Sequence, residues 1–186
     1  MLETERLILR EIVASDAADV LAFRSDPEEQ KYNDSPLRSL SEARELIDRL
    51  GREYREERAI RWGLTMKGEG AVVGLLGYNY WNVAHFRAGL GYDLKRSLWG
   101  NGLMPEAVEA VLDFGFSRME LNRVEAHTNT ANTSSVRMLR KLGFWQEGTL
   151  HEQFYEDGAF HDVSLFVLLR RDRPATKRLS WYLGQV

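Results

Sequence analysis

Residues 60–94 contain three consecutive segments in which the apolar pattern shifts towards a period of two. They read IRWGLTM, AVVGLLGYNYW and RAGLGYDL, with a tight turn at Lys67–Gly70 and a looser turn at Asn82–Phe86. A period of two is typical of β-strands, and strands joined by short turns pair antiparallel. The pattern therefore predicts an antiparallel three-stranded meander, against which the remaining elements must pack.

The segments on either side predict further strands alternating with helices. Before the meander we expect a strand at Arg6–Ile12, a short helix ending near Arg24, and a surface helix that opens at the capping box of Ser39 and Glu42. After it we expect, in order, a helix at Met104–Phe116, a strand at Asn122–Thr128, a helix at Ser134–Leu142 and two strands, FWQEGTL and HDVSLFVLL. A meander followed by a β-α-β crossover predicts an α/β fold, with a mixed, mostly antiparallel sheet of about six to seven strands and helices on both faces.

Length and composition limit the classes of function. The 186 residues predict a single domain, 1–186, in which 171–186 form a C-terminal extension. A formal net charge of −3 argues against a nucleic-acid partner; the basic run Arg170–Arg178 is read as a solvated segment rather than a phosphate patch. The chain has no cysteine, no long apolar run and no signal-peptide pattern, which together predict a cytoplasmic protein without disulfides, a thiol nucleophile or a membrane partner.

The loop SLWGNGLMPEAV, Ser97 to Val108, places two glycines just before a predicted helix. Free N–H groups and the positive end of a helix form a site for anions, most often phosphate. Gly100 and Gly102 would let the backbone approach such a ligand closely. A plain tight turn explains the same residues about equally well, because short glycine patterns recur by chance.

Other catalytic patterns are incomplete. HEQFY begins like a zinc-binding motif, but Tyr155 stands where the second histidine is required, and no metal site is predicted. The nucleophile pattern G-x-S-x-G does not occur, which argues against a serine hydrolase.

Several motifs occur in the order seen in one known family. They are TERLILR at Thr4–Arg10, GYDL with WGNGLMPEA within Gly91–Ala107, and RVEA, NTSS and LRKLGF within Arg123–Phe144. A final block between Glu147 and Leu169 carries EG, DG and LL. On these residues the chain resembles the GNAT family of acyl-CoA N-transferases, and within it the RimJ/RimL type. The resemblance implies a GNAT fold whose sheet is splayed at the acyl-CoA site.

The resemblance also implies acetyl-CoA as co-substrate and assigns residues to hold it. The backbone of Tyr92 and Leu94 would pair with the pantetheine arm, and Asn132, which is equally suited to capping a helix, would bond to the same arm. Arg96 would supply a positive charge, because Ser97 stands where many members carry Gln or Arg. The pyrophosphate would lie on the N–H groups of the loop residues Trp99, Gly100, Asn101, Gly102 and Leu103.

For catalysis, the resemblance implies direct attack of an amine on the thioester, with two candidate residues. Glu125 is the candidate base, with His127 on the same face of its strand; a structural salt bridge is the alternative. Ser135 is the candidate acid, and a helix-capping hydroxyl is the alternative. Leu139 stands where many members carry a tyrosine acid.

The acceptor is predicted to be the α-amine of a protein or peptide, and a ribosomal protein is one candidate. A small amine, such as a polyamine, an amino acid or an antibiotic, is the alternative within the family. A non-catalytic acyl-CoA sensor is the alternative outside it. The state is predicted to be a monomer or a homodimer. A cationic acceptor is suggested by the acidic residues Asp26, Glu28, Glu29, Asp34, Glu152, Glu156 and Asp157.

Overall fold

The computed structural model describes residues 1–33, 35–156 and 158–173. Its five helices are α1 (Ala17–Arg24), α2 (Pro27–Gln30), α3 (Leu40–Arg55), α4 (Leu103–Ser117) and α5 (Thr133–Lys141). Its eight strands are β1 (Leu2–Glu3), β2 (Leu7–Arg10), β3 (Ile60–Met66), β4 (Val72–Asn82), β5 (Arg87–Leu94), β6 (Arg123–Asn129), β7 (Trp145–Glu156) and β8 (Ala159–Leu169). None of these helices is long and apolar enough to cross a membrane.

All eight strands form one sheet in the order β1-β2-β3-β4-β5-β6-β8-β7. The predicted meander is β3-β4-β5, and every neighbouring pair in the sheet is antiparallel except β5 and β6. That parallel pair needs a crossover connection, and α4 provides it. The mixed sheet predicted from the sequence is confirmed, with eight strands instead of six to seven.

Two short elements escaped the sequence prediction. Strand β1 has only two residues and extends the sheet through antiparallel pairing with β2. Helix α2 has four residues, begins at Pro27 and is capped by the Asp26 carboxylate, which accepts the Glu28 N–H at 2.9 Å. Elements of this length carry too few residues to show a hydrophobic period.

Helices cover both faces of the sheet. On one face, α4 buries Val108, Val111 and Leu112 against a large apolar cluster that includes Leu76 and Val124. On the other face, α1 and α3 form a smaller cluster with β4, built from Phe23, Ile47 and Leu75 among others.

A buried ion pair joins α1 to β5. The Arg24 guanidinium contacts Asp93 Oδ2 at 2.6 and 2.7 Å, and the Asp93 side chain is only 2% exposed. The second oxygen of Asp93 accepts the Leu75 N–H at 2.8 Å. Removing one partner of such a pair leaves an uncompensated buried charge, which is strongly destabilising. The pair therefore fixes α1 against the carboxyl half of β5.

The described part of the basic C-terminal run is mostly exposed, as predicted: Arg170, Arg171 and Asp172 are exposed, and Arg173 is half-buried. Two of its arginines nevertheless contact the protein. The Arg173 guanidinium contacts Asp113 of α4 at 2.5 Å and Glu109 at 2.9 Å. The Arg170 guanidinium donates to the Leu121 carbonyl at 2.8 Å. Residues 174–186 lie outside the described residues.

Candidate functional site

The parallel strands β5 and β6 separate partway along their length. Their pairing runs from Arg87 and Arg123 to Leu90 and Ala126 and then stops. Beyond that point β5 continues only alongside β4, and β6 continues only alongside β8. A V-shaped gap therefore opens in the middle of the sheet, at the place where the family resemblance predicts a splay.

The edge of β5 inside the gap presents free backbone groups. The Lys95 N–H donates to Val73 of β4, and successive residues of a strand point their backbone groups to opposite sides. The N–H groups of Tyr92 and Leu94 therefore face the gap. The Leu94 carbonyl is already occupied, because the Trp99 indole N–H donates to it at 2.6 Å.

The glycine loop lies between the end of β5 and the start of α4. Gly100 has φ +77° and Gly102 has φ +74°, both in the left-handed region that favours glycine. A Cβ at Gly100 would meet nothing within 4 Å. Gly100 is therefore required by its backbone conformation and not by close packing within the chain, and the space beside it is open.

This loop exposes a row of backbone N–H groups. Within the part of the chain that the structure describes, the N–H groups of Gly100, Asn101, Gly102 and Leu103 donate to no protein atom. Trp99 differs from the prediction, because its N–H donates to the Arg96 carbonyl at 3.0 Å. The Arg96 side chain is exposed beside the loop. Open N–H groups at a helix start favour an anionic ligand.

A network from the N-terminal strands holds the loop. The Arg6 guanidinium donates to the Asn101 carbonyl at 2.9 Å and pairs with Glu106 of α4 at 2.7 Å. The Thr4 hydroxyl and the Arg6 N–H also donate to Glu106, at 2.5 and 2.9 Å. Burial raises the pKa of Glu106, but these bonds outweigh it and leave the pKa below its ordinary value. The network turns the loop carbonyl inward and leaves the N–H groups facing outward.

Ser135 and Tyr92 meet across the gap. Ser135 Oγ lies 2.6 Å from the Tyr92 hydroxyl oxygen, and Ser135 is only 7% exposed. Burial raises the pKa of Tyr92 to about 12, although the bond to Ser135 acts in the opposite direction, so the phenol is protonated at neutral pH. The helix-capping alternative for Ser135 does not apply, because the Asn132 side chain caps α5 by accepting the Ser135 N–H at 3.1 Å.

Glu125 lies on β6 inside a network of its own. Its carboxylate accepts a hydrogen bond from the Tyr80 hydroxyl and contacts the Arg123 guanidinium at 2.5 Å and that of Arg87 at 3.7 Å. Burial raises the pKa of Glu125, but the bonds from Tyr80 and Arg123 and the charges of both arginines outweigh it, and the pKa is lowered. The salt bridge named as the alternative is therefore present, and it weakens Glu125 as a base.

A cavity of about 880 Å³ passes from the α1–α3 connection to the gap. Tyr80, Tyr92, His127, Asn132 and Ser135 line it together, whereas Glu125 does not belong to its lining. Sequence reasoning missed Tyr80, whose ring lies over Gly89, where a Cβ would come within 2.2 Å of it. The sequence signal that could have identified Tyr80 is the pairing of this aromatic residue on β4 with Gly89 on β5.

The charges in this cavity differ from the predicted acidic acceptor site. Among its described lining residues, Arg24, Lys31 and Arg61 carry positive charge, and none is Asp or Glu. Asp26 caps α2, and Glu29 accepts the Arg96 N–H at 2.6 Å. Glu28 and Glu152 are exposed. Asp34, Asp157 and the Glu156 side chain lie outside the described residues. The suggestion of a cationic acceptor therefore stays a prediction.

Comparison with known proteins identifies the family. A model of the acetyltransferase (GNAT) domain matches residues 6–145. An uncharacterised N-acetyltransferase, p20, from Bacillus licheniformis is 38% identical over 172 residues, covering 92% of this chain and 97% of its own length. The fold, the splayed sheet and these matches define an N-acetyltransferase. The chain belongs to the GNAT family.

Two further comparisons concern proteins with named substrates or ligands. The structure of RimL, a ribosomal-protein α-N-acetyltransferase in complex with coenzyme A, superposes with a TM-score of 0.82 at 22% identity, over 89% of this chain and 95% of that chain. A spermidine N(1)-acetyltransferase of Vibrio cholerae is 23% identical over 137 residues, covering 74% of this chain and 77% of its own length. At these identities, the likeness carries the fold to this chain, and it leaves the acceptor open.

We predict that Glu125→Gln lowers stability in a pH-dependent way. Because the pKa of Glu125 is lowered on folding, its stabilising contribution is present at neutral pH, above the unfolded value of about 4.3, and is lost as the pH falls through the folded value. Urea unfolding is expected to show a deficit of about 1–3 kcal/mol at pH 7 that shrinks in acid.

Glu147→Gln is the matched control. Glu147 also pairs with Arg123, at 3.0 Å, but its side chain is 35% exposed, and exposed pairs contribute less than about 1 kcal/mol. A loss of unfolding free energy for Glu125→Gln that is as large in acid as at pH 7 would contradict the electrostatic explanation.

Proposed function

We propose that this chain transfers the acetyl group of acetyl-CoA to the α-amine of a peptide or protein, as a member of the RimJ/RimL type. The observation that carries the proposal is the row of open N–H groups at Gly100–Leu103 beside the parted strands. A diphosphate fits an anion site at a helix start. A pantetheine arm, which carries amide groups, fits the free edge of β5.

The predicted assignments for acetyl-CoA follow from this geometry. The N–H groups of Gly100, Asn101, Gly102 and Leu103 bind the diphosphate, and the exposed Arg96 adds positive charge. Tyr92 and Leu94 offer backbone N–H groups to the pantetheine arm. The Asn132 side chain, which lines the cavity, is assigned to the same arm. Trp99 contributes through its indole, which holds the Leu94 carbonyl and fixes the start of the loop.

The chemistry is a direct transfer. Acetyl-CoA supplies a thioester, whose C–S bond breaks as the amine nitrogen forms a new C–N bond with the carbonyl carbon. Ser135 donates its proton to the departing sulfur, and the Tyr92 hydroxyl, 2.6 Å away, returns a proton to Ser135. The Tyr92 phenolate regains a proton from solvent, and the proton that the amine gives up is released to solvent in exchange, so the protons balance over one turnover. The phenol enters the gap from β5, which compensates for the missing tyrosine at Leu139. Leu139 itself is fully buried in the core.

The amine must lose a proton, and Glu125 is proposed to accept it through Tyr80. Tyr80 lines the cavity and donates its hydroxyl proton to Glu125. A proton taken up by the Tyr80 oxygen is therefore matched by one passed on to the carboxylate. His127 lines the same cavity and is an alternative direct acceptor. If the relay operates, Glu125→Gln loses turnover as well as stability.

The lining of the cavity favours a peptide over a polyamine as acceptor. None of its described lining residues is Asp or Glu, so none of them offers a carboxylate to the several ammonium groups of a polyamine, whereas a peptide acceptor carries a single α-amine. The spermidine relative leaves a polyamine as the second candidate. The cytoplasmic location and the monomeric or dimeric state stay predictions.

The proposal is tested by measuring release of free CoA thiol with a panel of acceptors. We expect release with peptides that have a free N-terminus and little with spermidine, amino acids or N-terminally blocked peptides. Release of CoA thiol with spermidine and with no peptide would show that the acceptor is a polyamine and not a peptide. Tight binding of CoA without release for any acceptor would favour the non-catalytic sensor.

We predict that Gly100→Ala weakens CoA binding by about tenfold or more. Alanine at φ +77° costs about 1–2 kcal/mol, and relaxation of that strain turns the N–H groups away from the diphosphate. Isothermal calorimetry with CoA measures the change.

Gly68→Ala is the control, since Gly68 has φ +83° and also has open space around it, but lies in the turn after β3. Both variants are expected to lose similar stability, and only Gly100→Ala to lose affinity. Equal affinities would show that the loop does not bind the diphosphate.

We predict that Ser135→Ala lowers kcat about 100-fold, because the departing sulfur loses its proton donor, while the KM for acetyl-CoA changes little. Tyr92→Phe, which removes only the supporting hydroxyl, is expected to lose less. Steady-state thiol release measures both. Ser134→Ala is the control, because among the described residues the exposed Ser134 hydroxyl bonds only to Asn132. Wild-type turnover in the Ser135→Ala variant would show that Ser135 is not the acid.

A further inference from the structure

Gln30 is a buried residue whose side-chain polar atoms have no hydrogen-bond partner among the residues that the structure describes. It is the last residue of α2, is only 2% exposed and lines the cavity together with Tyr92 and Ser135. Within the described residues, the side-chain oxygen Oε1 and the side-chain nitrogen Nε2 of Gln30 both lack a hydrogen-bond partner. Buried polar groups without a partner are rare in native proteins, and each one calls for an explanation.

The backbone around Gln30 is firmly held, so its side chain is held at the cavity wall. The Asp26 carboxylate caps α2, and the neighbouring Glu29 accepts the Arg96 N–H at 2.6 Å. The Gln30 carbonyl accepts the Asn33 N–H at 2.8 Å. These bonds tie α2 to the segment that follows β5. The residue lines the cavity, but the two carboxamide atoms are themselves buried. A ligand in the cavity therefore reaches them through a rotation of the Gln30 side chain on this fixed backbone.

The chemistry of a carboxamide indicates what it binds. It offers one acceptor oxygen and an NH2 donor on the same planar group. In an extended peptide, the N–H and C=O of one residue point to the same side, so a carboxamide can bond to both at once. A polyamine offers only donors and would leave the Gln30 NH2 unsatisfied.

We propose that Gln30 binds the main-chain N–H and C=O of one residue in an extended acceptor, and so selects peptides over amines that lack an amide. The proposal rests on the proposed transfer to a peptide α-amine and deepens it. The acceptor is recognised there by its backbone, and this contact does not depend on the sequence of the acceptor.

The test compares Gln30→Met, which keeps the volume and removes both hydrogen bonds, with the wild type. Acceptors are a tripeptide with a free N-terminus and a simple alkylamine without an amide. We expect kcat/KM for the tripeptide to fall about tenfold, the effect of two lost hydrogen bonds. We expect kcat/KM for the alkylamine and the Kd for CoA to stay unchanged.

A second measurement separates binding from a structural role. Removing unsatisfied buried groups is expected to leave the melting temperature of the free protein unchanged or to raise it by about 2–4 °C. Gln146→Met is the control, because the Gln146 amide already donates to Ser164 at 3.1 Å and Thr149 at 3.2 Å. That variant is expected to melt lower and to keep the wild-type ratio of kcat/KM between the two acceptors.

The outcomes distinguish the two proposals. A tripeptide rate unchanged by Gln30→Met, an equal loss for both acceptors, or a lower melting temperature would overturn the role of Gln30 while leaving peptide acetylation intact. A wild-type protein that acetylates the alkylamine and never the tripeptide would overturn both.

Discussion

The site depends on the point at which β5 and β6 stop pairing. They are the one parallel pair in the described sheet, and a parallel pair requires a crossover, which here is α4. The crossover places the start of a helix at the mouth of the gap between the two strands. A row of unused N–H groups and two free strand edges thus meet at one place because of the topology. The proposed backbone contacts with acetyl-CoA all use one of these two features.

Two polar networks fix the positions of β5 and β6 beside the gap. On the β5 side, the buried pair of Arg24 and Asp93 fixes the strand to α1. On the β6 side, Glu125 connects Tyr80 to Arg123. Each network satisfies buried charges within the protein, and a fully satisfied network makes its surroundings rigid. The gap is therefore built into the folded chain, and a ligand does not have to open it.

Much of the fold follows from the sequence, because strand periods and short turns are local. The meander, the crossover and the order of elements from Ile60 to Leu169 were predictable in this way. Strand β1 and helix α2 were not, since two or four residues show no period. The same limit hid Gln30, which sits in a polar segment whose burial depends on how α2 packs beside β5.

The site was predictable only as far as the motifs reach. Ser135 and Asn132 lie at the cavity as expected, and Glu125 lies on the expected strand. The partners of these residues come from distant parts of the chain: Tyr80 is 45 positions from Glu125, and Tyr92 is 43 positions from Ser135. Nothing local in the sequence determines which side chains meet across a gap. The salt bridge that weakens Glu125 as a base, and the proton relay proposed for it, both depend on those contacts.

The contacts of Thr4 and Arg6 with Glu106 have a thermodynamic consequence. They immobilise the loop through residues about 100 positions away, so the conformational entropy of the loop is lost during folding. Binding to such a preorganised loop loses less entropy than binding to a mobile one. Coenzyme association is therefore expected to have an enthalpic signature with only a small ordering penalty.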